Sequence, residues 1–298
     1  MKHFNWKQIF HWGGLGIGII GVAFVIRKLA QYSNQIDFTG FSWLTIFSFV
    51  GFILVYFFAN ILLALAWRDL LQYLGVSTTR KWAIQTYGVS QIAKYVPGNI
   101  FQFAGRQAIG QAEGVHALPL AKSSVWEIGL LVTTGLFFSI LVIPLFQEQV
   151  TYHLALMIFF IILFVSILCV YHWIGTRIAL AMMWYGLFLI ISGIVFNGVL
   201  MAVTSSPIKI NSFFIGITGV YVVAWLAGLI TPGAPAGIGV REMVFLAILQ
   251  GVVSEGELLK AIVVGRFVTV GGDVLFYLFS MIIRFGKKVP IQSAPESQ

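Results

Sequence analysis

Apolar runs of membrane-crossing length recur along this chain, and they constrain it more than any other feature. A helix rises about 1.5 Å per residue, so about 20 residues cross the hydrocarbon core of a bilayer. Six runs stand out, at 13–26, 41–67, 118–143, 154–171, 184–203 and 261–283. Only 9% of the 298 residues are charged, against about 25% in a soluble domain. So few charges do not cover a water-soluble surface. An ordinary soluble enzyme and a disordered chain are therefore excluded. Cys169 is the one cysteine, so a disulfide scaffold is excluded too, and its apolar neighbours mark it as a packing residue. The expected fold is all-α: a polytopic integral membrane bundle of about six full spans.

The run at 13–26 is short and resembles a signal peptide in length. Arg27 and Lys28 follow it without a small-x-small cleavage site, so it reads as a membrane anchor. Gly14 and Gly18 within it are spaced for close helix packing.

Two further segments, 82–113 and 213–253, are apolar but broken, the first at Pro97-Gly98 and the second at Pro232-Gly233 and Pro235. Proline removes a backbone donor and clashes with the preceding turn. At membrane depth, broken backbone is tolerated only inside protein or beside a watery cavity. Both segments are expected to be re-entrant or discontinuous helix pairs. They also match each other: a slide of 135 residues lays Pro97, Gly98 and Arg106 on Pro232, Gly233 and Arg241. Paired interruptions in two halves are the sequence mark of a transporter-type binding site.

The net charge is +8, and the basic residues gather at segment ends: Lys2, Lys7, Arg80, Lys81, Arg284, Lys287 and Lys288. This is topology information and contact with anionic lipid, not a nucleic-acid face. With a cytoplasmic N-terminus, three crossings separate the two broken segments, and the loop 144–152 between two of them carries no Lys or Arg. Three is odd, so the repeats are expected to be inverted, with both termini cytoplasmic. Arg27, Lys28, Lys209 and Lys260 fall on the other side of this scheme.

Seven ionised residues lie within apolar segments: Lys94, Arg106, Glu127, Arg241, Glu242, Arg266 and Asp273. Each costs about 2.5–3.5 kcal/mol at a helix centre on insertion scales. Four cations against three anions leave a positive surplus. That set is suited to pair internally while keeping one or two guanidinium groups for a phosphate, whose oxygens the planar fork meets in pairs. Arg106 and Arg241 follow the breaks and are expected in the first turns of new half-helices, where the dipole also favours an anion. The alternative for Arg241 is a structural pair with Glu242 or a neighbouring carboxylate. Arg266 and Asp273, seven apart, share a helix face and suggest an internal pair. Glu127 is expected to pair with Lys94 or Arg106, or else to accept a proton. Trp126 beside it reads as packing. Lys94 either joins the site or snorkels to the interface.

The five histidines, His3, His11, His116, His153 and His172, lack metal-ligand spacing, so no metal is expected. No phosphate-binding loop, nucleophile elbow or paired-carboxylate motif is present, so neither a cofactor nor an enzymatic activity is expected.

Lys94-Tyr95-Val96-Pro97-Gly98-Asn99, with Arg106 and Glu113-Gly114-Val115, and later Pro232-Gly233 with Gly237-Ile238-Gly239-Val240-Arg241-Glu242, resemble the flippase-like transmembrane domain of the lysylphosphatidylglycerol synthase family. Archaeal dolichol-linked glycosylation proteins share that domain. Arg266 and Asp273 resemble positions in its last long helix. The resemblance covers roughly residues 10–285. It implies a polytopic domain that moves a lipid with a charged head group between leaflets. The sequence ends at Gln298 without a soluble aminoacyl-transfer domain, so synthase activity is not carried over. Pro235 departs from the plainer glycine-rich run expected there.

The resulting expectation is a flippase-like protein of the inner (plasma) membrane. It comprises one domain, 1–285, and a polar tail, 286–298. It would bind or move an anionic phospholipid or a polyprenyl-phosphate-linked lipid, with Arg106 and Arg241 on the phosphate. The run 184–203 and its neighbours are expected to form scaffold facing lipid. The alternative is an accessory subunit of a separately encoded membrane glycosyltransferase or synthase. A membrane transferase with Glu127 or Asp273 as base is a third reading.

Overall fold

The computed structural model describes residues 42–96, 100–204, 213–231, 235–237, 239–284 and 292–293. The first apolar run, 13–26, lies outside the described residues, as do Pro97, Gly98, Pro232 and Gly233. The described elements are α1 (Trp43–Tyr73), β1 (Val76–Ser77), α2 (Arg80–Gln91) with a 3₁₀ turn at Ile92–Tyr95, α3 (Phe101–Ala112), and α4 (Ala117–Leu136) tightening into a 3₁₀ stretch at Phe137–Leu145. Then come α5 (Tyr152–Trp173), α6 (Thr176–Val203), α7 (Phe214–Ile230), a 3₁₀ turn at Pro235–Gly237, α8 (Val240–Leu249), α9 (Glu255–Arg284) and β2 (Gln292–Ser293). The two short strands pair antiparallel, Val76 opposite Ser293. That places part of the polar tail beside the end of α1.

Five helices are long and apolar enough to cross a membrane: Trp43–Tyr73, Ala117–Leu145, Tyr152–Trp173, Thr176–Val203 and Glu255–Ile283. They match the five expected runs that fall within the described residues. Side chains define several starts. The Ser42, Thr79 and Thr151 hydroxyls accept from the backbone N–H groups of Thr45, Trp82 and Leu154, each satisfying a first-turn donor that the helix leaves free.

Packing sorts these helices by depth. Helix α5 buries only Ala155, Phe159 and Leu163 and turns Phe160, Ile161, Phe164 and Leu168 outward. Such a continuous exposed apolar face belongs against lipid tails. Helix α6 does the opposite. Tyr185, Phe188, Leu189, Val199 and Leu200 are all within 1% of complete burial, and α6 packs on α1, α5, α7 and α9. The expectation that 184–203 faces lipid is therefore corrected: its glycines and small polar residues make it the central helix. Gly193 is one cause, because a Cβ there would lie 2.7 Å from Thr218 Cγ2. Without it, α7 approaches closely enough for Asn197 to donate to Thr218 Oγ1 at 2.7 Å. Small residues let membrane helices approach and polar pairs then hold them.

Helix α9 crosses α1 in the same way. A Cβ on Gly272 would meet Tyr56 Cδ1 at 2.8 Å and Ile53 O at 3.1 Å. This contact carries the next residue, Asp273, into the interior opposite Asn60. The short pairs α2–α3 and α7–α8 each pack on themselves. The 3₁₀ turns that end at the two chain interruptions also meet, with Ile92, Tyr95, Ala236 and Val270 forming one small core. Three of the long helices, α4 to α6, lie between the two pairs in sequence.

Candidate anion site between the two interrupted helix pairs

A narrow cavity of about 40 Å³ lies where the two interrupted pairs meet. It is wide enough for a few waters, each needing roughly 10–15 Å³. Lys94, Gln91 and Gln102 line it from the first pair, Trp225 and Arg241 from the second, and Glu127 from α4. Gln102 and Arg241 are each the second residue of their helix, so α3 and α8 both begin at this cavity.

Six of the seven charges singled out in the sequence are paired. Glu127 grips Arg106 with both oxygens, at 2.5 Å to Nη1 and 3.1 Å to Nη2, and accepts a third bond from the Tyr87 hydroxyl at 2.8 Å. Both side chains are about 2% exposed. The Arg106 guanidinium lies over the rings of Tyr87 at 4.3 Å, Phe103 at 5.0 Å and Trp67 at 5.5 Å. A bidentate pair roofed by aromatic faces is a good solution for burying arginine. It also commits the fork to the protein.

Asp273, fully buried, meets Lys94 Nζ at 2.8 Å. It accepts from the Tyr95 hydroxyl at 2.5 Å and from Asn60 Nδ2 at 3.2 Å. Glu242 takes Arg266 through Oε1, at 2.9 Å from Nη2 and 3.1 Å from Nε. Its Oε2 accepts from the Gly239 backbone N–H at 2.7 Å, so one carboxylate caps α8 and holds a cation. Arg266 also donates to the carbonyls of Ala236 at 3.0 Å and Gly237 at 3.3 Å. Ala236 is held at φ 49°, a left-handed conformation that a Cβ disfavours.

Arg241 is the seventh charge. It forms no ion pair among the described residues, and its buried Nε has no hydrogen-bond partner there. Arg106 Nε is also unpartnered, but its two terminal nitrogens are spoken for. The Arg241 side chain runs through a slot made by two glycines. A Cβ on Gly228 would lie 2.8 Å from Arg241 Nε, and one on Gly237 would lie 2.9 Å from it. Its guanidinium carbon sits 5.7 Å from the Trp225 ring centre.

The structure thus gathers Lys94, Arg106, Glu127, Arg241, Glu242, Arg266 and Asp273 around one place, but two expectations and one alternative reading are corrected. Arg266 and Asp273 are not partners. Seven residues span about 10 Å of helix, so a shared face still leaves them too far apart to pair. Arg106 is the sixth residue of α3, beyond its first turn. Glu242 turns to Arg266 rather than to Arg241, because its carboxylate must also reach back to Gly239. The choice left open for Glu127 falls on Arg106. Lys94 does not snorkel: its side chain is 16% exposed and faces inward to Asp273. Trp126 packs edge-on against Tyr73 at 5.8 Å.

Sequence reasoning missed the uncharged half of the site, Asn60, Tyr87, Gln91, Tyr95, Gln102 and Trp225. Asn60 had a signal, an amide in the middle of a 31-residue apolar helix. It also missed Asp69, buried at the end of α1, which accepts from Arg177 Nη1 at 3.1 Å and Trp184 Nε1 at 3.2 Å. No candidate cluster of metal ligands occurs among the described residues.

No protein-family model matches this chain, and neither a curated protein nor a solved structure does. What the fold and site define, among the described residues, is a helical protein with five membrane-length helices and a cluster of ion pairs beside one guanidinium, Arg241, that has no ion pair.

Proposed function

We propose that this protein is a flippase-like membrane protein that binds the phosphate of an anionic lipid at Arg241 and moves it between leaflets. The observation that carries this reading is the surplus cation: Arg241 faces a polar cavity with no carboxylate of its own. An uncompensated buried guanidinium is costly, and a ligand anion removes that cost. Gln91, Gln102 and Lys94 supply further donors on the opposite wall. An arginine fork beside a helix start suits a phosphate, and lipid phosphate is the anion that surrounds a bundle of membrane-length helices.

The two interrupted pairs are the moving parts in this reading. Their breaks at Pro97-Gly98 and Pro232-Gly233 form re-entrant ends, inverted relative to one another across α4 to α6. A cavity of about 40 Å³ is smaller than a head group, so the contact of Ile92–Tyr95 with Pro235–Gly237 must part for entry. The protein sits in the inner (plasma) membrane with both termini cytoplasmic. The resemblance to the flippase-like domain of lysylphosphatidylglycerol synthases points the same way.

Native mass spectrometry of lipids retained by the purified protein tests the assignment. Arg241→Lys keeps the charge and loses the fork. It is expected to insert and fold as the parent does but to retain anionic lipid about tenfold less well, a loss of roughly 1.4 kcal/mol. Full retention by a folded Arg241→Lys protein overturns the clamp.

A further inference from the structure

The charge count of the site narrows the lipid. Lys94 is neutralised by Asp273, Arg106 by Glu127 and Arg266 by Glu242. Arg241 alone is left, so the described site carries a net charge of one. The walls that close the site are otherwise apolar or amide: Leu63, Leu131, Phe188, Gln91 and Gln102. In such a poorly solvated place a residual charge of either sign is penalised, so a ligand is selected by whether it brings the sum to zero.

We propose that the site is matched to a singly charged phosphodiester head group, and discriminates against phosphomonoester and zwitterionic lipids. This rests on the phosphate reading of Arg241 above. A phosphodiester brings one negative charge and closes the count. A phosphomonoester carries about −1.5 to −2 near neutral pH and leaves the site negative, beside the carboxylates of Glu127 and Asp273. A zwitterionic lipid brings its own cation and leaves the Arg241 charge uncancelled. Glu242 is the lever that sets the count. Glutamine there keeps one acceptor oxygen for Arg266 or Gly239, where the carboxylate serves both, and adds one positive charge to the sum.

The test is competitive native mass spectrometry on the full chain at pH 8. Its three probes share the same acyl chains: phosphatidylglycerol, phosphatidic acid and phosphatidylcholine. The parent is expected to retain phosphatidylglycerol at least about tenfold over both others. Glu242→Gln is expected to shift the ratio toward phosphatidic acid by about tenfold. Asp273→Asn raises the count from the other wall and is expected to do the same, so one folded variant suffices. Arg241→Gln lowers the count to zero and is expected to erase the preference for either anion over phosphatidylcholine. If the parent binds phosphatidic acid as well as phosphatidylglycerol, or the folded count-raising variant leaves the ratio unchanged, while Arg241→Gln still abolishes both, charge matching is wrong and the phosphate clamp stands. If Arg241→Gln retains both anions as the parent does, the clamp and the charge match fall together.

Discussion

The two interrupted helix pairs contain the same Pro-Gly and the same arginine nine residues later, yet the arginines live differently. Arg106 in the first pair is locked by Glu127 under three aromatic rings. Arg241 in the second pair threads a glycine slot and forms no ion pair among the described residues. The difference lies in the partners. Helix α4 presents Glu127 to α3, whereas Glu242, beside Arg241, is drawn away by Arg266 and Gly239. The same arginine at the same spacing is thus tied into the scaffold in one helix pair and left without an ion pair, among the described residues, in the other.

Removing the two guanidiniums in turn tests this contrast most severely. Arg106→Met strands a buried carboxylate and is expected to cost about 3–5 kcal/mol, read as a lower unfolding temperature in detergent. The double change Arg106→Met with Glu127→Leu is expected to recover most of that loss. Arg241→Met strands nothing, so its unfolding temperature is expected to stay at the parent value or rise. Equal losses for Arg106→Met and Arg241→Met would erase the distinction.

A smaller effect is expected at the glycines that flank each arginine. Gly228→Ala puts a Cβ 2.8 Å from Arg241 Nε and 2.9 Å from Gly237 Cα. Such overpacking costs about 1–3 kcal/mol, and it should also weaken lipid retention, since the side chain must shift. Gly105→Ala in the first pair meets only Ser90 Cβ at 3.4 Å, an ordinary contact inside a helix. It is expected to be neutral, or stabilising by up to about 1 kcal/mol. The same thermal measurement on both variants sharpens the comparison, and a larger loss for Gly105→Ala contradicts it.

The smallest expected effect is at Ala236. Glycine adopts its left-handed conformation without the Cβ clash, so Ala236→Gly is expected to raise stability by at most about 1 kcal/mol. The carbonyl that Arg266 uses remains in place. A clear loss instead would mean that the Ala236 methyl, packed with Ile92, Tyr95 and Val270, matters more than the strain.

Much of the fold was legible in the sequence. The long runs at 41–67, 118–143, 154–171, 184–203 and 261–283 all appear as helices, because apolar length alone dictates a spanning helix. Boundaries drifted where charged or polar residues continue a helix beyond its apolar part: α6 begins at Thr176 and α9 at Glu255. The seven charges around the cavity were also legible, since each is an exception in an apolar run, whereas Asp69 was not. Their pairing was not. Shared helix face suggested Arg266 with Asp273, and adjacency suggested Arg241 with Glu242, but neither forms.

By itself, then, the amino-acid order determined which segments are helical and of membrane length, where the chain is interrupted, and that the seven ionised residues singled out in its apolar segments sum to one positive charge. Those properties follow from local hydropathy, proline chemistry and counting. Only the tertiary structure decided which cation is the surplus one, and that α6 rather than α5 lies at the centre. Pairing depends on which helices touch. That in turn depends on close approaches such as Gly272 on Tyr56 and Gly193 on Thr218, between residues that the sequence places far apart.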